Sequence, residues 1–193
     1  MSAVRKATTA DLARLCRTMM HAFVDDPVMR WLIPDDEEFF AGDGAAVRPF
    51  FWRWLPYDQT FTTDDAVSVA AFIPPGRPDL GTAPEPGSPS HPAERIKKLV
   101  TLRAMQAEHT PAEPHWYLNM LATHPHWQRQ GLGKLVISPI TELCDREGLP
   151  LFLETETEAN VAYYGHLGFS VRSEWDVPLQ GPHMWGMIRQ PHS

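Results

Sequence analysis

Apolar residues recur along this chain at two spacings, three-to-four and two, and the switches between them mark out the elements. Leu12, Leu15, Cys16, Met19 and Phe23 repeat at helical spacing. Thr8 stands ahead of them as an N-cap with Asp11 three residues on, and Val4–Lys6 predicts a short opening strand. Asp26-Pro27 ends this helix or kinks the chain, because proline disfavours helical geometry in the residue before it. A second helical region, broken near Gly42 and Gly44, carries Phe50, Phe51, Trp52 and Trp54 and is limited by Pro56. Residues 60–62 and 66–73 read as a hairpin with Asp64 and Asp65 in its turn.

The second half alternates helix and strand more regularly. Residues 94–109 read as a helix, and Trp116–Thr123 as a strand stopped by His124-Pro125. Residues 131–146 are helical by period, with Leu132, Leu135, Val136, Ile140 and Leu143 on one side and Pro139 awkwardly inside. A buried strand at 151–154, a short helix at 160–167, and strands at 169–176 and His183–Arg189 complete the chain. The order β-α-α-β-β-α-β-α-β-α-β-β predicts an α/β (α+β) fold, a mixed sheet with helices on both faces. The proline- and glycine-rich stretch 74–92, PPGRPDLGTAPEPGSPSHP, reads as a loop or flap, too short to divide the pattern, so residues 1–193 form one domain.

Composition narrows the function classes. A net charge of −7 with no Lys/Arg run argues against nucleic-acid binding. No apolar run approaches the roughly 18 residues of a membrane span, and the N-terminus lacks the apolar region of a signal peptide. Cys16 and Cys144 both fall in amphipathic segments and read as small core thiols, with no paired Cys/His spacing for zinc. A cytoplasmic protein without a metal, and without a nucleic-acid or membrane partner, is the expectation.

The chemistry concentrates in LATHPHWQRQGLGKLV, residues 121–136, where a strand ends, a turn follows and a Gly-x-Gly opens an apolar helix. Free amides and the positive dipole end at a helix start favour an anion, and Arg129 and Lys134 add charge there. Alone, this pattern fits a phosphate site or a mere tight turn equally well. It is neither a P-loop nor the three-glycine dinucleotide fingerprint.

Two longer patterns go further. Gln128-Arg129-Gln130-Gly131-Leu132-Gly133 matches the Gln/Arg-x-x-Gly-x-Gly/Ala signature of GNAT acyltransferases, and Asn160-Val161-Ala162-Tyr163-Tyr164-Gly165-His166-Leu167-Gly168-Phe169 resembles their second signature. The chain resembles the puromycin N-acetyltransferase branch of that family in its opening VRKATTADLARL…HAFVDDP, its GLP-LFLETE strand, its 164–171 block and its ending VPLQGPH-MWGMIRQP. The likeness is patchy between residues 35 and 115.

The resemblance implies a mostly antiparallel sheet in which two parallel strands, 116–123 and 151–154, splay apart to receive acetyl-CoA. Leu121, Ala122 and Thr123 would then face the pantetheine arm and the acetyl carbonyl. Gln128, Arg129, Gln130, Gly131, Leu132, Gly133 and Lys134 would hold the pyrophosphate, Asn160 the pantetheine, and Tyr164 would protonate the departing thiolate. An amine would attack the thioester directly through a tetrahedral intermediate. Some family members place a basic carboxylate where this chain has Tyr117 and Asn119; Glu154 is the leading candidate base here, with a water relay or a backbone carbonyl as the rival. Trp31, Trp54, Asn119 and Glu154 are the candidate acceptor contacts.

Plainer readings stand beside these. Tyr164 also reads as a core tyrosine beside Phe169, Glu154 as a strand end, Asn160 as an N-cap, and the aromatic helices as core. His124 and His126 read as surface loop residues. Asp25 and Asp26 read as a solvated helix end rather than a cation site. The resulting expectation is acetyl transfer to a primary amine of a small, antibiotic- or metabolite-like molecule, by a monomer or homodimer. A peptide N-terminal or protein-lysine acetyltransferase is the alternative, and a non-catalytic acyl-CoA sensor the alternative of another class.

Overall fold

A computed structural model describes residues 3–77 and 91–192. Its seven strands form one sheet: β1 Val4–Lys6, β2 Thr60–Thr63, β3 Ser68–Ile73, β4 Trp116–Thr123, β5 Leu151–Thr155, β6 Ser170–Asp176 and β7 His183–Arg189. Their spatial order is β1-β2-β3-β4-β5-β7-β6, and every neighbouring pair is antiparallel except β4 with β5. The mixed sheet predicted from the element order is therefore present, with the mainly antiparallel pairing that the family resemblance implies. Of the stretch read as a flap, residues 78–90 lie outside the described residues.

Helices α1 Leu12–Ala22, α2 Pro27–Leu32, α3 Asp36–Phe39, α4 Arg48–Trp54 and α5 Ala93–His109 precede β4, while α6 Leu132–Glu147 and α7 Glu158–His166 flank β5. The central strand β3, SVAAFI, is buried throughout because both of its faces are covered. Val69 and Ala71 join Leu15, Met19, Phe51 and Trp54 in one core. Ala70 and Phe72 join Val136, Ile137, Ile140 and Tyr164 in the other. Cys16 and Cys144 are buried outside any disulfide, one in each core.

Asp11 fixes the start of the chain. Its carboxylate is buried and accepts two hydrogen bonds from Arg5, at 2.8 and 2.7 Å, one from Arg14 at 2.8 Å and one from the Thr8 amide at 2.9 Å. The Arg5 guanidinium holds the carboxyl far below the usual range. This realises the expected cap at Thr8, with a 3-10 turn at Thr9–Asp11 before α1. Asp26 then caps α2, accepting from the Met29 amide at 2.7 Å, and Asp35 caps α3, accepting from Glu38 at 2.8 Å. Two short helices thus stand where a single break was expected.

Other boundaries shift for local reasons. Ala66 adopts a left-handed φ of 58° in the hairpin turn, so β3 starts at Ser68. Thr157, not Asn160, caps α7, its hydroxyl accepting from the Asn160 amide at 3.2 Å. Leu135 is exposed and Ile137 is buried, which corrects the expected buried stripe of α6. Pro139 does not break that helix. Proline there leaves the Leu135 carbonyl without its i+4 donor, and the Ser138 hydroxyl donates to that carbonyl at 2.9 Å.

Two irregularities in β4 shape everything near the site. Against β3, Ala71 pairs with Met120 but Phe72 pairs with Leu118, so Asn119 is an inserted, bulged residue. Leu118 faces the core under α6, whereas Met120 faces the core under α1. Against β5, pairing runs Trp116 with Leu151, Tyr117 with Phe152 and Leu118 with Leu153, and then stops. β4 continues to Thr123 beside β3 alone.

Two stability outcomes follow. Asp11→Asn should cost about 3 kcal/mol in urea unfolding, since two guanidinia lose a buried partner. Ser138→Ala should cost about 1 kcal/mol by the same measurement, and it should become nearly neutral when Pro139 is first replaced by alanine, which restores the missing donor.

Candidate active site

Beyond Leu118 the β5-facing edge of β4 carries backbone groups with no strand beside them, from Asn119 to Thr123. A strand edge in that state takes an extended partner, because its N–H and C=O groups remain available in the strand plane. Leu121 packs toward the core under α6, Ala122 toward the core under α1, and the Thr123 hydroxyl meets that of Ser68 at 2.8 Å. The three predicted backbone contacts therefore lie in sequence along one open edge.

The turn after β4 is tied back to it. The Gln128 amide donates to the Thr123 carbonyl at 3.1 Å, and Gln130 donates to the His126 carbonyl at 3.3 Å. Arg129 and Gly131 have left-handed φ angles of 61° and 78°, so the chain curls into the start of α6, where no side chain caps the first amides. The first-turn residues Leu132, Gly133 and Lys134 present their amides there. A Cβ on Gly133 would lie 2.6 Å from the Tyr163 hydroxyl, so a side chain there would displace the ring that α7 rests on this turn. Curled loop, uncapped amides and open edge fit a pyrophosphate joined to an extended arm.

Tyr164 is buried, its ring edge-on to Phe169 and to Tyr163, and burial with the nearby Glu156 carboxyl pushes its phenol well above the usual range. Asn160 lies one turn before it on α7 and donates to Glu156 Oε1 at 3.3 Å.

On the other side of the sheet a cavity of about 870 Å³ opens between α1, α2, α4, α5 and the strands. Met19, Phe23, Phe50, Trp54 and Leu102 give it an apolar wall. Glu154, the first β5 residue after pairing to β4 ends, lines it. One carboxylate oxygen accepts from Gln106 at 2.6 Å and from the Tyr117 hydroxyl at 2.9 Å, while the other is buried with no partner. Burial raises this carboxyl to about 7, the two hydrogen bonds opposing the shift. Glu156 and Asp26 share a hydrogen bond beside it, and burial pushes both carboxyls upward.

Trp54 and Asn119 enter the cavity together, the indole N–H donating to the Asn119 carbonyl oxygen, with Phe50 stacked on the indole at 5.6 Å. Trp31, by contrast, does not line the cavity; its indole donates to the Leu179 carbonyl at 3.1 Å, and Lys98 covers its ring. Asp26 is a half-buried cap at the cavity rather than a solvated end. His124 and His126 lie with their rings 5.4 Å apart in the turn after β4, and among the described residues no His/Cys/Asp/Glu group is arranged to hold a metal.

Sequence reasoning misses Gln106, Glu156, Arg53 and Arg103, and reads Asp26 as a solvated helix end. Glu156 carried a signal, since it stands two positions after Glu154 on or just beyond the strand and so shares its face. Gln106 carried none, being one polar residue among many on α5.

The model of the acetyltransferase (GNAT) family matches residues 17–169. An uncharacterized N-acetyltransferase of Schizosaccharomyces pombe is 34% identical over 85 residues, 40% of this chain and 32% of that protein. The chain thus spans about a third of the length of that relative. A Corynebacterium glutamicum structure described as histone acetyltransferase HPA2 and related acetyltransferase superposes with TM-score 0.67 and 21% identity, covering 100% of this chain and 98% of that one. Arylalkylamine N-acetyltransferase 2 of Aedes aegypti superposes with TM-score 0.69 and 13% identity, covering 98% of each chain. At such identities the structures speak for the fold, and the family model, which spans most of the sequence, carries the assignment: this chain belongs to the acetyltransferase (GNAT) family.

Proposed function

We propose that this protein transfers the acetyl group of acetyl-CoA to the primary amine of a small molecule, of the antibiotic or secondary-metabolite kind. The observation that carries the reading is the position of Glu154. It follows the last residue paired across β4 and β5, so it stands where the open strand edge meets the large apolar cavity. The likeness to puromycin N-acetyltransferases in the two ends of the chain supports a small acceptor, as does a cavity walled by Phe23, Phe50, Trp54 and Leu102.

Acetyl-CoA supplies the thioester; the chain supplies position and proton transfer. Residues 121–123 hold the extended arm along the β4 edge, and the amides at the start of α6 hold the pyrophosphate. Glu154, with one oxygen held by Tyr117 and Gln106, directs its free oxygen to the acceptor ammonium and takes its proton. A carboxyl that titrates at about 7 is suited to a base working near neutrality. Tyr164, whose phenol keeps its proton at any physiological pH, returns one to the departing thiolate.

Tyr164→Phe should lower kcat about 100-fold in a CoA-thiol release assay while the Kd for acetyl-CoA changes less than twofold; unchanged turnover would remove Tyr164 from the mechanism. For the wild type, kcat/KM should rise with pH through an ionisation near 7, and Glu154→Gln should abolish that limb along with most activity.

Stability provides a separate readout. Because the native carboxyl binds its proton more tightly than the unfolded one, Glu154 makes the fold less stable as pH climbs from about 4.5 to about 7. Glu154→Gln should therefore gain up to about 3 kcal/mol relative to wild type across that window, measured by urea unfolding at a series of pH values. A constant difference would show that the carboxyl titrates normally.

A further inference from the structure

The cavity is lined by groups of both charges: the carboxyls of Glu154, Glu156 and Asp26, and two guanidinium groups, the half-buried Arg53 from α4 and the exposed Arg103 from α5. They lie close enough for Arg53 to oppose the charge on Arg103 and also to act on the Tyr117 hydroxyl. Neither is held by a carboxylate or a hydrogen bond among the described residues, whereas Arg5, Arg30, Arg95 and Arg189 are each held by one.

Two like charges facing one cavity without a partner repel, and an anion between them reverses that repulsion. Guanidinium forks are also the groups best shaped to bind a planar carboxylate or a phosphate in two-point contact. Their location is set by the same elements that hold the candidate base. Arg53 immediately precedes Trp54, which is bonded to Asn119. Arg103 stands three residues before Gln106, which is bonded to Glu154, and so lies about 5 Å along the helix from it. An acceptor whose amine reaches Glu154 can therefore set an oxyanion against the arginines.

Resting on the proposed transfer reaction, we infer that the acceptor is a zwitterion: an amine with an apolar or aromatic body and an oxyanion, carboxylate or phosphate, held between Arg53 and Arg103. The amine end meets the three carboxyls, the body meets Phe23, Phe50 and Trp54, and the oxyanion completes the charge balance of the cavity.

The test uses matched amines with the full chain. Phenylalanine is compared with phenylalaninamide, and tyramine O-phosphate with tyramine, by calorimetric binding and by CoA-thiol release. Within each pair the anionic member should be favoured at least tenfold. In Arg53→Gln and Arg103→Gln that ratio should fall to near one, with the change in KM or Kd rather than in kcat. Preference in the first pair alone assigns the site to carboxylates, and preference in the second alone to phosphates. Ratios near one in the wild type, or ratios unaltered in both variants, overturn the inference. Arginine-dependent binding of the anionic amines without thiol release would leave the zwitterion site standing and overturn the transfer reaction instead.

Discussion

The point on which this structure turns is the end of hydrogen bonding between β4 and β5 after Leu118 and Leu153. Backbone amides and carbonyls inside a protein need partners, and a parallel pair that stops midway leaves a row of them facing a gap. The bulge at Asn119 occurs at the same level. A bulge bends its strand and increases local twist, so it carries the rest of β4 away from β5 while β3 keeps it in the sheet. The gap is therefore an architectural feature, held open by pairing on the far side of each strand: β3 against β4, and β7 against β5.

The bulge also decides what faces the cavity. It transfers the inward set of β4 from one core to the other, so Leu118 packs under α6 and Met120 under α1. Tyr117 and Asn119 alternate with Leu118 and so face the cavity side, where one holds Glu154 and the other is held by Trp54, and the bulge adds Met120 to that side. Around them sit carboxyls that burial pushes upward and two arginines held by no carboxylate among the described residues. In the proposed reading, a zwitterionic acceptor supplies the partners that both lack.

Much of this was legible beforehand. The opening cap at Thr8 and Asp11, the strands at Val4–Lys6, Trp116–Thr123 and His183–Arg189, and the helix after Gly131 follow from period and punctuation, because local spacing determines which face of an element is apolar. The glycine turn was legible as well from its Gly-x-Gly before a helix, although the reason for Gly133, the Tyr163 hydroxyl resting where a side chain would stand, comes from α7. Family membership was carried by the same residues.

What remained hidden depends on contacts distant in sequence. Burial in β4 alternates without interruption through the bulge, so nothing in the string WYLNMLAT shows that its faces exchange at Asn119; only the register against β3 does. Trp31 and Trp54 look alike in sequence, yet one is bonded to Leu179 near the far end of the chain and the other to Asn119 beside the site. Gln106, Tyr117 and Glu154 come from a helix and two strands, and burial where they meet raises Glu154 into the neutral range against the opposing effect of the two hydrogen bonds. The sequence by itself determined the elements, their order and the turn before α6, because those are set within a few residues. The tertiary structure decided the gap, the cavity and its lining of carboxyls and arginines, because each depends on which strand stops pairing and on which side chains the packed elements bring together.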